Sequence, residues 1–136
     1  MSFGEIRTGA VISYSYLWER QADGGETEGR KERPTVVGLR MPRSAGDALI
    51  LFAITTKPPT SERWAIEVPD VEKRRVGLDV SLRQWIMLDE ANQDVVGRSY
   101  YLTADTPQGY FSPSFFGPIV QQVITRWREI RRISRQ

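Results

Sequence analysis

The eight residues ALILFAIT, 48 to 55, restrict the fold of this chain more than any other stretch. Seven apolar side chains run without interruption before Thr55, and nothing polar marks a solvent-facing side. A strand that alternates apolar and polar residues covers one face of a sheet; an unbroken apolar run of this length belongs to a strand covered on both. Turn-forming residues close it off, with Pro42 and Gly46 before it and Thr56-Lys57-Pro58-Pro59 after it. The chain must therefore supply neighbours on either side of a central strand and cover above and below it. Its 136 residues are enough to do so as one domain, 1–136.

The flanking sequence supplies candidates for those neighbours. Residues 9 to 18, GAVISYSYLW, alternate and are rich in β-branched and aromatic types, which predicts a strand. Ile12, Tyr14, Tyr16 and Trp18 share one side of it, and Val11, Ser13, Ser15 and Leu17 the other. The polar, glycine-containing stretch 19 to 32 predicts a long loop, of a length often tied to function. A second strand is expected from about Arg33 to Arg40, with Pro34 at its entry where a missing N–H costs least. Short strands are expected over 64–68, 84–91 and 98–102, and a turn or short helix over 69–78. From Ser112 the period changes. Ile119, Val120, Val123, Ile124, Trp127 and Ile130 recur at helical spacing, behind a Ser112-Pro113 cap and first turn. The expected architecture is mainly β, of α+β type. A small, strongly curved antiparallel barrel spans about 9–111, and one C-terminal amphipathic helix spans about 113–132.

Composition narrows the chemistry. With no Cys there is no disulfide, thiolate ligand or thiol nucleophile, and with no His the usual general base and commonest metal ligand are missing. Any catalysis runs on carboxylates, hydroxyls, Lys, Arg or Tyr, and no metal or cofactor is expected. The opening MSFGEIRTGAV lacks the basic and apolar stretches of a secretory signal, and no apolar run is long enough to cross a bilayer. A cytoplasmic protein without a membrane partner is expected. Arginine outnumbers lysine 16 to 3, a bias that suits bidentate phosphate contacts and that a GC-rich genome also produces. Residues 126 to 135 hold five arginines against Glu129, either a phosphate-contacting patch or a solvated helix end.

The segment EGRKERPTVVGLR, 28 to 40, crowds charge at the mouth of a strand. Pro34 biases Arg33 toward extended backbone, whereas Arg30 and Lys31 sit in the polar loop. Taken alone, Arg33 is better explained by a surface ion pair with Glu28 or Glu32.

In order along the chain, GAVISYSYLW, ERPTVVGL, LILFAITT, WAIEVP and GLDVSLRQWIMLDEAN resemble the MazF/PemK-like toxins of bacterial type II toxin–antitoxin modules. The likeness covers roughly residues 9 to 92 and, weakly, the last helix. It implies an SH3-like barrel and a metal-independent endoribonuclease of the mRNA-interferase type. Such an enzyme cuts single-stranded RNA by attack of a ribose 2′-hydroxyl on the adjacent phosphate. It works as a homodimer and is neutralised by a cognate antitoxin. Carried onto this sequence, the family's catalytic Arg, Thr and loop Glu fall on Arg33, Thr55 and Glu28, with Thr56 an alternative if the register is off by one. Arg30, Lys31, Thr56 and Lys57 are then the expected RNA-binding residues.

Those types suit the step. A guanidinium stays protonated and grips two phosphate oxygens, a hydroxyl donates to the same phosphate, and a carboxylate takes the 2′ proton. For Thr55 the competing explanation is strand propensity; for Glu28 it is a solvated loop. Tyr14, Tyr16 and Trp18 suit either base stacking or the core, with the core first. This chain departs from the family in carrying Lys31-Glu32 before Arg33, which puts an acid beside the phosphate ligand. It also has Glu90-Ala91-Asn92-Gln93, which lacks the family's base. Two alternatives remain: a non-enzymatic gyrase inhibitor like the CcdB toxins, and a degenerate relative that binds without cleaving.

Overall fold

The structure, a computed structural model, describes residues 3–27, 31–99, 101–102 and 106–136. Glu28 and Arg30 lie outside the described residues. The protein is mainly β, an eight-stranded sheet curled on itself with a few short helices. Its strands are β1 (Ala10–Tyr14), β2 (Arg33–Met41), β3 (Ala48–Thr55), β4 (Ala65–Glu67), β5 (Trp85–Met87), β6 (Glu90–Val95), β7 (Gly109–Tyr110) and β8 (Arg131–Ser134). The helices are α1 (Glu19–Asp23), α2 (Asp70–Arg75) and α3 (Pro113–Thr125). Among the described residues no helix is long and apolar enough to cross a membrane.

β3 is the central strand the apolar run demands. β2 pairs along one edge of it, and β5 and β6 divide the other. Its even-numbered residues, Ile50, Phe52 and Ile54, pack with Val11, Val36, Phe116, Ile119 and Val123 beneath α3. Its odd-numbered residues, Leu49, Leu51 and Ala53, pack with Ile12, Tyr14, Tyr16 and Trp18. The two-sided burial is thus carried by two distinct clusters, one on each face of the sheet. The aromatic stripe belongs to the core, and it emerges at one end as Trp18.

Several elements differ from expectation. The first strand stops at Tyr14 because its partner β2 begins at Arg33, directly opposite, so residues 15–18 have no β2 backbone to pair with. Within the expected loop 19–32 the chain forms α1, whose entry is fixed when Gln21 Oε1 accepts the Trp18 N–H at 3.1 Å. The expected strand 84–91 is two strands. Between the pairs Leu51–Asn92 and Ile54–Ile86, three steps along β3 answer six along its partner, so the chain breaks at Leu88–Asp89. No strand occupies the described residues of 98–102, where Ser99 Oγ accepts the N–H groups of Tyr101 and Leu102.

The helix expected over 113–132 ends at Thr125. A 3-10 turn (Trp127–Glu129) follows, and residues 131–134 become β8, which pairs with β6 in parallel, so the sheet is not wholly antiparallel. The apolar stripe explains the misreading. Ile119 and Val123 do face the core from the helix, but Ile124 is 54 % exposed, and Ile130 and Ile133 are buried from an extended chain.

One backbone detail sets the curl. β2 bulges between Val37 and Leu39, and a Cβ on the intervening Gly38 would meet the Phe52 ring, 2.6 Å from Cδ2 and closer still to Cε2. Gly38→Ala is expected to lower stability by about 3 kcal/mol, the cost of overpacking against a buried ring. Denaturant unfolding measures this, and a loss below about 1 kcal/mol would mean that the ring swings aside freely.

Candidate anion-binding site

The β2–β3 register brings the two ends of the site together. Thr35 lies opposite Ala53 as the outermost pair, so Arg33 and Thr55, two residues beyond it on either strand, come to the same end of the sheet. On its other side Arg33 pairs with Tyr14 of β1. Before the bulge, the odd residues of β2 share with the odd residues of β3 the face that carries the aromatic cluster, and Arg33 and Thr55 are the outermost residues of that series. Together they line a cavity of about 350 Å³ at the open end of the strands, with Trp18, Arg20, Lys31, Thr56, Lys57 and Arg63.

The charge on this wall is one-sided. Five cationic side chains line the cavity, and no Asp or Glu does among the described residues. Only Arg63 is neutralised there, through two bonds to Asp89 and one of 3.2 Å to Glu90. Arg20, Lys31, Arg33 and Lys57 make no ion pair among the described residues. Glu32, the acid beside Arg33, accepts from Ser13 Oγ of β1 at 3.2 Å. Strand alternation explains this, because residues 32 and 34 face away from residues 33 and 35.

Arg33 is half-buried, and its Nε is shut off from solvent without a hydrogen-bond partner. Burial first, and then the Arg20 charge, hold its pKa below the usual guanidinium value. The Arg33 and Arg20 guanidinium carbons each lie 5.1 Å from the Trp18 ring centroid, so one indole is in reach of two like charges. A concentration of unpaired cations opposes folding unless an anion arrives. The cavity is built for one.

Thr55 does more than satisfy strand propensity. Its Oγ1 accepts the Lys57 N–H at 3.1 Å, which fixes the turn at the strand end and leaves the hydroxyl proton free to donate. Thr56, more exposed, lines the cavity as well. Of the residues expected to bind RNA, Lys31, Thr56 and Lys57 therefore meet at one cavity with Arg33 and Thr55.

Sequence reasoning missed Arg20, Arg63 and Trp18 as wall residues. Arg20 belongs to α1, read as loop, and Arg63 arrives from the connection before β4 with no motif to mark it. Trp18 was assigned to the core, where it also belongs.

The wall is braced from behind by carboxylates. Glu90 accepts from Tyr16 Oη at 3.2 Å and from the Glu19 N–H at 3.0 Å, and burial raises its pKa. Asp94 accepts from Tyr14 Oη at 2.6 Å, and burial, followed by the Asp94 charge, raises that phenol's pKa. Three of the five arginines of 126–135 are internal ties. Arg126 pairs with Glu129 and covers Trp64, Arg131 binds Glu19 and Asp23, and Arg135 is buried against Tyr14 and Tyr101. No family model, curated protein or solved structure matches the chain.

Proposed function

We propose that the protein is a toxin-type, metal-independent endoribonuclease with an SH3-like barrel, acting on single-stranded RNA. One observation carries this reading: Arg33, at the start of β2, and Thr55, at the end of β3, line one cavity with unpaired cations and no described carboxylate. The scissile phosphate sits between them. The 2′-oxygen attacks phosphorus, the 5′-oxygen leaves with a proton, and the products end in a 2′,3′-cyclic phosphate and a 5′-hydroxyl. Arg33 holds the phosphorane's non-bridging oxygens through its outer N–H groups, and Thr55 donates its hydroxyl to the same phosphate. Lys31 and Lys57 hold flanking phosphates. Glu28, five residues before Arg33, takes the 2′ proton. On this reading the working enzyme is a homodimer held inactive by a cognate antitoxin.

One observation favours a second reading, binding without cleavage: the described wall of the cavity offers no carboxylate as a base. Induction in a bacterial host followed by mapping of RNA 5′ ends separates the two. Discrete new 5′-hydroxyl ends, absent with Arg33→Gln, are expected. Growth arrest without new ends would remove the nuclease reading, and inhibited DNA supercoiling in the same cells would point to gyrase instead.

A further inference from the structure

A second cavity, of about 320 Å³, wraps around the same strand ends and shares Lys31, Arg33, Thr55 and Thr56 with the first. Its remaining wall has the opposite chemistry. Gln84 and Gln108 both line it, and each donates one amide N–H to a backbone carbonyl. Gln84 Nε2 donates to Asp79 O at 3.2 Å, and Gln108 Nε2 donates to Val76 O at 2.9 Å. A carbonyl only accepts, so these bonds settle which end of each amide is nitrogen and leave Oε1 as the end without a described partner. The carboxylates of Glu32 and Asp79 border the same space. Pro34 and Leu82 add apolar surface, and Leu82 is 46 % exposed.

The two cavities together present cations and hydroxyl donors on one side of the strand ends and fixed acceptors beside an apolar wall on the other. The complementary molecule is an anion joined to a flat ring that bears N–H donors. We infer that the second cavity is a nucleobase subsite that selects bases carrying an exocyclic amine, guanine above all, and disfavours uracil. Guanine presents its ring N–H and its amino group side by side, both of which donate to such a wall. Uracil presents one N–H between two carbonyls, so it offers the acceptors of this wall a single donor where guanine offers two adjacent ones. Pro34 and Leu82 cover a face of the ring.

The inference rests on the first cavity holding the phosphate, and the test keeps the two apart. The intact protein is titrated with inorganic phosphate and with guanosine and uridine monophosphates, both 3′ and 5′, and binding is followed by NMR. Guanosine nucleotides are expected to bind at least about tenfold more tightly than uridine nucleotides, the worth of one good hydrogen-bonded base contact. Gln108→Leu, at an exposed position, is expected to bring that ratio close to one in a variant whose melting temperature shows that it is folded. Equal affinities in the wild type, or a ratio unchanged in Gln108→Leu, overturn the base subsite. Inorganic phosphate carries no base, so its binding, expected to be lost in Arg33→Gln, tests the anion site and not the base subsite. A guanosine preference in a protein that leaves RNA intact would uphold the subsite and refute the nuclease.

Discussion

Arg33→Gln is expected to lower RNA cleavage about a thousandfold while leaving the protein as stable as before or slightly more so. The rate effect follows from removing a planar cation aimed at oxygens that gain negative charge in the transition state. The stability effect follows from the cation's surroundings. Arg33 has no described ion-pair partner, its Nε is buried and unsatisfied, and burial and Arg20 depress its pKa. A base whose folded pKa lies below its unfolded one binds its proton less tightly when folded. Its charge therefore opposes folding at every pH below the folded pKa, neutral pH included. For a half-exposed group, solvent screening limits that opposition to on the order of 0.5 kcal/mol. Residues that work on a ligand commonly carry this signature of function held against stability. A melting temperature lowered by more than about 5 °C would contradict it, because Arg33 would then be holding the fold together.

Asn92→Leu is expected to have the opposite profile, removing about 4 kcal/mol of stability and, with it, the site. Asn92 is fully buried on β6, and its amide imitates a strand partner. Its Oδ1 accepts the Leu17 N–H at 2.8 Å, and its Nδ2 donates to Leu17 O at 2.7 Å, just where β1 has run out of backbone to pair with. Arg135 Nη1 donates to the same oxygen at 3.0 Å. Leucine matches the volume but strands the Leu17 N–H and carbonyl, each costing about 1–3 kcal/mol when left unpaired, and takes one of several acceptors from Arg135. The total approaches the whole margin of a typical domain. Leu17 directly precedes Trp18, so freeing it releases the wall of the cationic cavity. Circular dichroism during urea unfolding gives the loss, and a change below about 1.5 kcal/mol would mean that water replaces the amide.

The contrast between these two residues marks what the sequence made legible. ALILFAIT announced a strand buried on both faces, and Pro34 placed Arg33 at the start of its neighbour; antiparallel pairing then brought Arg33 and Thr55 to the same end of the sheet. Each of those inferences uses contacts close in sequence or a strict period of two. Asn92 gave no such signal, since a polar residue within a strand looks solvent-facing until the backbone it replaces is known. The same holds for α1, a short polar helix held by Arg131 from the far end of the chain through Glu19 and Asp23. β8 hid behind a helical period because the side chains that continue it, Ile130 and Ile133, are buried from another backbone conformation.

The arginine bias was equally ambiguous before the contacts were visible. Arg40, Arg83, Arg126 and Arg131 are engaged with carboxylates, and Arg135 with backbone carbonyls, Asn92 and two tyrosine rings. Arg33 and Arg20, around one tryptophan, lack such partners among the described residues. What distinguishes the site is thus the lack of acids at one cavity and not the number of arginines. Glu32, which looked like an obstacle beside Arg33, faces the other side of the strand and bonds to Ser13.

The most direct test of the central claim is a cleavage assay with purified, antitoxin-free protein, single-stranded RNA and excess chelator, followed by end-group analysis. Fragments ending in 2′,3′-cyclic phosphate and beginning with a 5′-hydroxyl are predicted, and none with a folded Arg33→Gln variant. Intact RNA, or equal cleavage by Arg33→Gln, would contradict it.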